Sequence, residues 1–169
     1  MNKINFVSRA EVEVSGKTVS ASGSPTSTFQ NDVALAVYNG TGLSKLDKIV
    51  LVDSTGAEKD YSTSLTFSVS GNTLYVQSTI SISASYSIAK VRVYSGTKLY
   101  FETALSTAVS VNAGDSVAVT WSLTVSMSGS LTGYTFYMDA FASTLFSVLN
   151  GSATASALNV STIRNYVYD

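Results

Sequence analysis

The chain has 169 residues, enough for one domain with a sizeable core, and a formal net charge of −1 with only 12% charged against 45% hydrophobic residues. Its ten basic residues are scattered from Lys3 to Arg164, which excludes the clustered positive footprint that nucleic acid requires. Cys and His are absent, which excludes disulfides, zinc sites of the common kinds, and Ser-His or Cys-His nucleophiles. Ser and Thr stand in for the missing charge at roughly three in ten residues. A weakly polar surface of that kind is suited to being covered by other subunits, where Lys and Glu are costly to desolvate.

The opening "MNKINFVSRAEVEV" holds no apolar run of the length a secretory signal needs, so an export address is not expected. Residues 1–30 read as an N-terminal arm or first strands, with the lone Pro25 of "SASGSPTSTFQ" marking a flexible joint to a body over 31–169. Val33, Leu35 and Val37 read as a short strand ending at Asn39-Gly40. "KIVLVDSTG" is apolar at consecutive positions from Ile49 to Val52, which predicts a strand buried on both faces.

Hairpin arithmetic carries the middle of the chain. A two-residue Gly71-Asn72 turn pairs Val69 with Leu74 and Phe67 with Val76, keeping the apolar sets of both arms on one face. Leu74, Val76, Ile80, Ile82, Ala84, Tyr86 and Ile88 continue the alternation, Ser78 excepted, as one long bent strand or two in succession. In "KVRVYSGTKLYFE", a three-residue Ser95-Gly96-Thr97 loop opposes Val93 to Leu99 and Val91 to Phe101. A loop centred on Gly114 then opposes Val111 to Val117 and Val109 to Val119.

The strand that follows carries Val117, Val119, Trp121, Leu123, Val125 and Met127 on one side and Ser, Thr and Ala on the other. Phe136, Met138 and Ala140 alternate again, and "AFASTLFSVLNGS" allows one short helix ended by Asn150-Gly151. The expected fold is all-β, an antiparallel β-sandwich or jelly roll of about eight to ten strands with at most one short helix. No stretch approaches a membrane span; the longest apolar patches are "DVALAVYNG" and "FASTLFSVL".

Candidate sites are few. Asp53, Glu58 and Asp60 share the connection "DSTGAEKDY", an oxygen-rich loop that could hold calcium but lacks the EF-hand spacing, so a solvated hairpin loop is the stronger reading. Asp115 beside Gly114 reads as a turn residue. Three sequons occur at Asn39, Asn150 and Asn159, and the ten Tyr, including Tyr134, Tyr137, Tyr166 and Tyr168, could stack on glycans or line subunit contacts. Trp121 is assigned to the core. No pair of acids stands out for acid–base chemistry, and no catalytic, metal-binding or cofactor-binding residue is nominated; the chain is not expected to be an enzyme.

The stretch "KVRVYSGTKLYFETALSTAVSVNAGDSVAVTWSLTVS", with its "AGD" loop leading into a long strand, resembles modules in virion structural proteins of tailed phages and archaeal viruses. The resemblance covers the middle of the chain and rests on turn residues and alternation. It implies a small coat, decoration or fibre subunit of the virion that associates with itself and other coat proteins, without catalytic residues. A surface filament or adhesin subunit that donates its N-terminal arm, or a carbohydrate-binding receptor-recognition module, are the alternatives.

Overall fold

The computed structural model describes residues 3–128 and 135–159. Nine strands, β1 (Lys3–Val14), β2 (Lys17–Pro25), β3 (Lys48–Asp53), β4 (Glu58–Ser62), β5 (Thr66–Ser70), β6 (Thr73–Ser81), β7 (Tyr86–Ser95), β8 (Lys98–Val111) and β9 (Ser116–Ser128), form one antiparallel sheet. Their order across the sheet is β4-β3-β7-β8-β2-β1-β9-β6-β5. The alternation explains its curl. Val117, Val119, Trp121, Leu123 and Val125 on β9 are buried together with Leu74, Val76 and Ile80 on β6 and Ile88, Val91 and Val93 on β7. A single layer can bury one face that completely only by folding over on itself.

Two corners make the fold-over. β2 pairs with β1 from Gly23 back to Lys17, and its last residues, Ser24 and Pro25, switch to β8 opposite Glu102 and Phe101. At the other side, Asp60 of β4 accepts hydrogen bonds from the Ser83 amide (3.2 Å) and the Tyr86 hydroxyl (3.0 Å), and the Ser78 hydroxyl donates to the Ser64 carbonyl (2.9 Å). The terminal strand β4 is thereby drawn alongside β6, whose hairpin partner β5 is the other end of the sheet.

Pro25 is not a flexible joint. It closes β2 and is followed directly by Thr26, whose amide donates to the Tyr100 carbonyl (2.9 Å) and whose hydroxyl donates to the Leu99 carbonyl (2.7 Å). The same hydroxyl accepts from the Phe29 amide (3.3 Å), capping a helix, α1 (Ser27–Asn39). The strand expected at Val33, Leu35 and Val37 is therefore helical. Phe29, Asp32, Val33 and Ala36 are buried at helical spacing, and Gly40 ends the helix in the left-handed region at φ 70°.

The second helix, α2 (Thr135–Leu149), is longer than expected and absorbs the strand expected at Phe136, Met138 and Ala140. It buries Ala142, Leu145, Phe146, Val148 and Leu149 and ends at Asn150-Gly151 as read from the sequence. A 3-10 turn at Ala155–Leu158 follows, so the described residues hold two α-helices and a short helical turn where at most one short helix was expected. The interior they close is aromatic: Phe29 meets Phe6, Tyr100 and Phe101 at centroid distances of 5.4, 5.3 and 4.6 Å, and Phe101 meets Trp121 at 4.5 Å.

Pairing refines the hairpin expectations. The Gly71-Asn72 hairpin has the expected register, and residues 73–95 form two strands in succession. At the β7–β8 turn, Ser95 pairs with Lys98 across Gly96-Thr97, and a bulge at Tyr100 brings Val93 opposite Phe101 rather than Leu99. A bulge turns adjacent residues toward one face, which is how both Tyr100 and Phe101 become fully buried. The Gly114 loop is not a hairpin at all: β8 pairs with β7 and β2, and β9 with β1 and β6. The loop carries the chain from β8 to β9 past β2 and β1 with Asn112, Ala113 and Gly114 exposed, and is held by the Ile82 amide donating to the Asp115 carbonyl (2.9 Å) and the Gly114 amide donating to the Ile82 carbonyl (2.9 Å).

Candidate interaction surfaces

The outside of the curled sheet has two chemistries. On β2-β1-β9-β6-β5 the registers align outward side chains into rungs. One rung runs Thr18, Glu13, Ala118, Thr79; the next Ser20, Glu11, Thr120, Gln77, Thr66; the next Ser22, Arg9, Ser122, Tyr75, Ser68; and the last Val7, Thr124, Thr73, Ser70. Rungs lie roughly 7 Å apart along each strand and neighbours about 4.8 Å apart across it. Hydroxyl meets hydroxyl directly, as in Thr73 with Thr124 at 2.9 Å. No charged residue occurs from Tyr61 to Ala89 or from Ser116 to Met138, so the charges in these rungs come from β1 alone: Arg9, Glu11 and Glu13. A shallow depression of about 540 Å³ lies on this face beside Thr66, Gln77 and Thr120, lined by Ser, Thr and Gln side chains together with Ala118 and Val119 and by no charged residue.

The other half, β4-β3-β7-β8, concentrates charge. Arg92 donates to Glu102 (2.7 Å) and Glu58 (3.1 Å), Lys90 reaches Glu102 (3.3 Å), and the Tyr94 hydroxyl donates to Glu58. The Lys48 ammonium lies over the rings of Tyr94 and Tyr61, 4.7 and 5.6 Å from their centroids. The Tyr94 hydrogen bond, with Arg92 beside it, holds the Glu58 carboxyl below its ordinary range, and the Arg92 hydrogen bond does the same for Glu102. The Tyr94 phenol is raised, by burial first and by Glu58 second.

Beneath this network β3 is buried on both sides, as its sequence predicts. Ile49 and Leu51 enter the core, whereas Val50 and Val52 face outward at 2% and 0% exposure, in register with Arg92 and Lys90 on one flank and Tyr61 and Glu58 on the other. The apolar stems of those long side chains are what shields the valines.

The three acids of "DSTGAEKDY" do not converge. Asp53 folds back on its own turn, accepting from the Thr55 hydroxyl (2.7 Å), the Thr55 amide (2.8 Å) and the Ala57 amide (3.0 Å), with Lys59 at 3.3 Å; the Thr55 side chain leads in lowering its carboxyl to about 2. Glu58 belongs to the charged network and Asp60 to the β4 corner. Among the described residues, no group of three or more His, Cys, Asp or Glu side chains is placed to hold a metal ion. Asp115 accepts from the Asn112 amide (2.8 Å), the turn role expected of it.

Trp121 is fully buried against Phe101, as assigned. Of the tyrosines, Tyr38 and Tyr61 are prominently exposed, Tyr100 is buried, and Tyr134, Tyr166 and Tyr168 lie outside the described residues. Asn39 ends α1 on the surface; the Asn150 carboxamide accepts from the Ser152 amide (2.9 Å) and hydroxyl (2.6 Å); the third sequon continues past the described residues. One polar cluster escaped the sequence reading. Asp32, at 5% exposure, accepts from the Tyr100 hydroxyl (2.7 Å) and Lys98 (2.8 Å), pinning α1 to β8. Its signal was the helical spacing of Asp32 with Phe29, Val33 and Ala36.

No helix among the described residues is long and apolar enough to cross a membrane. The chain matches no protein-family model, no curated protein and no solved structure.

Proposed function

We propose that this chain is a structural subunit of a virion, a capsid, decoration or appendage protein, that acts through protein–protein assembly with copies of itself and other coat proteins. The curled sheet serves as a β-sandwich body whose two corners are β2 and the β4–β5 run. The observation that carries the reading is the hydroxyl-rich face of β2-β1-β9-β6-β5, broad and carrying charge on a single strand. Burying hydroxyls against a neighbour costs far less than burying Lys or Glu, and hydroxyls donate and accept in turn, so one copy of such a face can satisfy another.

The glycan-recognition alternative has less support. The Lys48 ammonium already occupies a face of Tyr61 and of Tyr94, which leaves Tyr38 on α1, 78% exposed, as the ring on which a sugar would stack. Nor is the N-terminal segment a free strand to donate, because β1 is paired on both sides within its own chain, with β2 and β9.

Density-gradient fractionation of a culture producing the chain, followed by mass spectrometry, tests the reading. Recovery in particle fractions at fixed stoichiometry to other coat proteins is the expected result. A chain found only as free monomer, by light scattering after size exclusion and in the gradient, overturns it.

A further inference from the structure

The two terminal strands of the sheet differ in a way that assigns one of them a partner. β4 carries Glu58, Lys59 and Asp60 in five residues, the charged blocking expected of a strand end that must stay unpaired. β5, "TFSVS", carries no charge, proline or bulge, and its hairpin partner β6 carries no charge either.

The backbone of β5 offers a definite pattern. Ser70 and Thr73 close a two-residue turn, so they are a hydrogen-bonded pair, and such pairs recur at Ser68 and Thr66. The N–H and C=O groups of Phe67 and Val69 therefore point away from β6. Among the described residues, no strand pairs with β5 on that side. On the inner face the Val69 side chain is 51% exposed, unusual in a strand whose partner Leu74 is fully buried.

We propose that β5 pairs with β5 of a second copy of this chain, antiparallel about a two-fold axis at Ser68. In that register Phe67 lies opposite Val69 of the second copy and Val69 opposite its Phe67, which forms four backbone hydrogen bonds and uses all the outward-directed groups of both residues. The side chains agree with the backbone. Phe67 covers the exposed half of Val69 on the inner face, and Thr66, Ser68 and Ser70 extend the hydroxyl rungs across the axis. Tyr61 to Ala89 carries no charge, and the charged side chains that line the cavity beside Phe67, Lys45 and Asp47, are of opposite sign, so the seam sets no run of like charges against itself. The pairing rests on the assembly reading and deepens it by naming a contact through which copies join.

The absence of Cys makes the test clean. At a non-hydrogen-bonded antiparallel pair the two Cα atoms lie about 4.5 Å apart, within disulfide range. Under mild oxidation, Ser68→Cys should give a disulfide-linked dimer much faster than the control Ser22→Cys, which is exposed in the same rung but on β2. Ser68→Lys and Ser68→Glu should each weaken self-association about fivefold, and an equimolar mixture should restore it, with Trp fluorescence confirming the fold of each. Equal cross-linking by the two Cys variants, or no rescue on mixing, in a wild-type chain that still self-associates overturns the β5 pairing and leaves the assembly reading standing. A wild-type monomer at every concentration, absent from particles, overturns both.

Discussion

The Asp32 carboxylate on α1 accepts a hydrogen bond from the hydroxyl of Tyr100 on β8 at 2.7 Å, between residues 68 apart in sequence. Lys98 joins the same oxygen, so the pair is a charge-supported anchor between the inserted helix and the bulge that buries Tyr100 and Phe101. Replacing Asp32 by Ala strands a buried phenol and should lower stability by about 2–3 kcal/mol, measured by urea denaturation near neutral pH.

The same anchor gives an alkaline signature. Burial, and after it the Asp32 hydrogen bond, raises the Tyr100 phenol to about 12 from its ordinary value of 10.0. The unfolded chain ionises first, so this stabilisation is complete below pH 10 and is lost as pH rises toward about 12. Tyr100→Phe should therefore flatten part of the alkaline fall in stability, read from denaturation midpoints across that window.

Gly23 sits where β2 leaves β1 for β8. A Cβ there would lie 2.8 Å from Thr103 Oγ1 and 3.1 Å from the Glu102 carbonyl. Gly23→Ala should cost about 1–3 kcal/mol by forcing the corner open. Adding Thr103→Ala removes the nearer atom, and the double variant should recover part of the loss, a coupling that a thermodynamic cycle measures directly.

Arg92 ties Glu102 and Glu58 together above Val50, and its side chain is only 20% exposed. Arg92→Ala should destabilise by about 1–2 kcal/mol, through lost charge-assisted hydrogen bonds and uncovered valine surface together. Because the uncovered surface contributes, the loss should persist at 1 M salt, where ordinary exposed ion pairs are screened away. Denaturation midpoints at low and high salt decide it.

The β1–β2 turn runs through Ser15 and Gly16, both at positive φ, 51° and 79°. That geometry suits Asn or Gly better than Ser at the first position. Ser15→Asn should raise stability by about 0.5 kcal/mol, seen as a higher melting temperature with an unchanged spectrum.

What the amino-acid sequence determined by itself was the facing of its strands. Period-two alternation sets which side chains of β9, β6 and β7 turn inward, and the Gly71-Asn72 hairpin is legible because its partners are neighbours in the chain. The double burial of β3 could be read from Ile49 to Val52 for the same local reason. Partners far apart were another matter. Val109, Val111, Val117 and Val119 alternate identically whether β8 and β9 pair or face each other across the interior, and only the fold-over of the whole sheet decided that residues 112–115 arch instead of turning back. The helix α1 is a middle case. Its cap at Thr26 and its stop at Gly40 are both written locally, yet Val33, Leu35 and Val37 fit a strand equally well until Phe29 is seen buried among Phe6, Tyr100 and Phe101. The charged network of Arg92 and the hydroxyl rungs likewise draw on strands distant in sequence, because a sheet surface is assembled across strands, while a sequence records only the order along them.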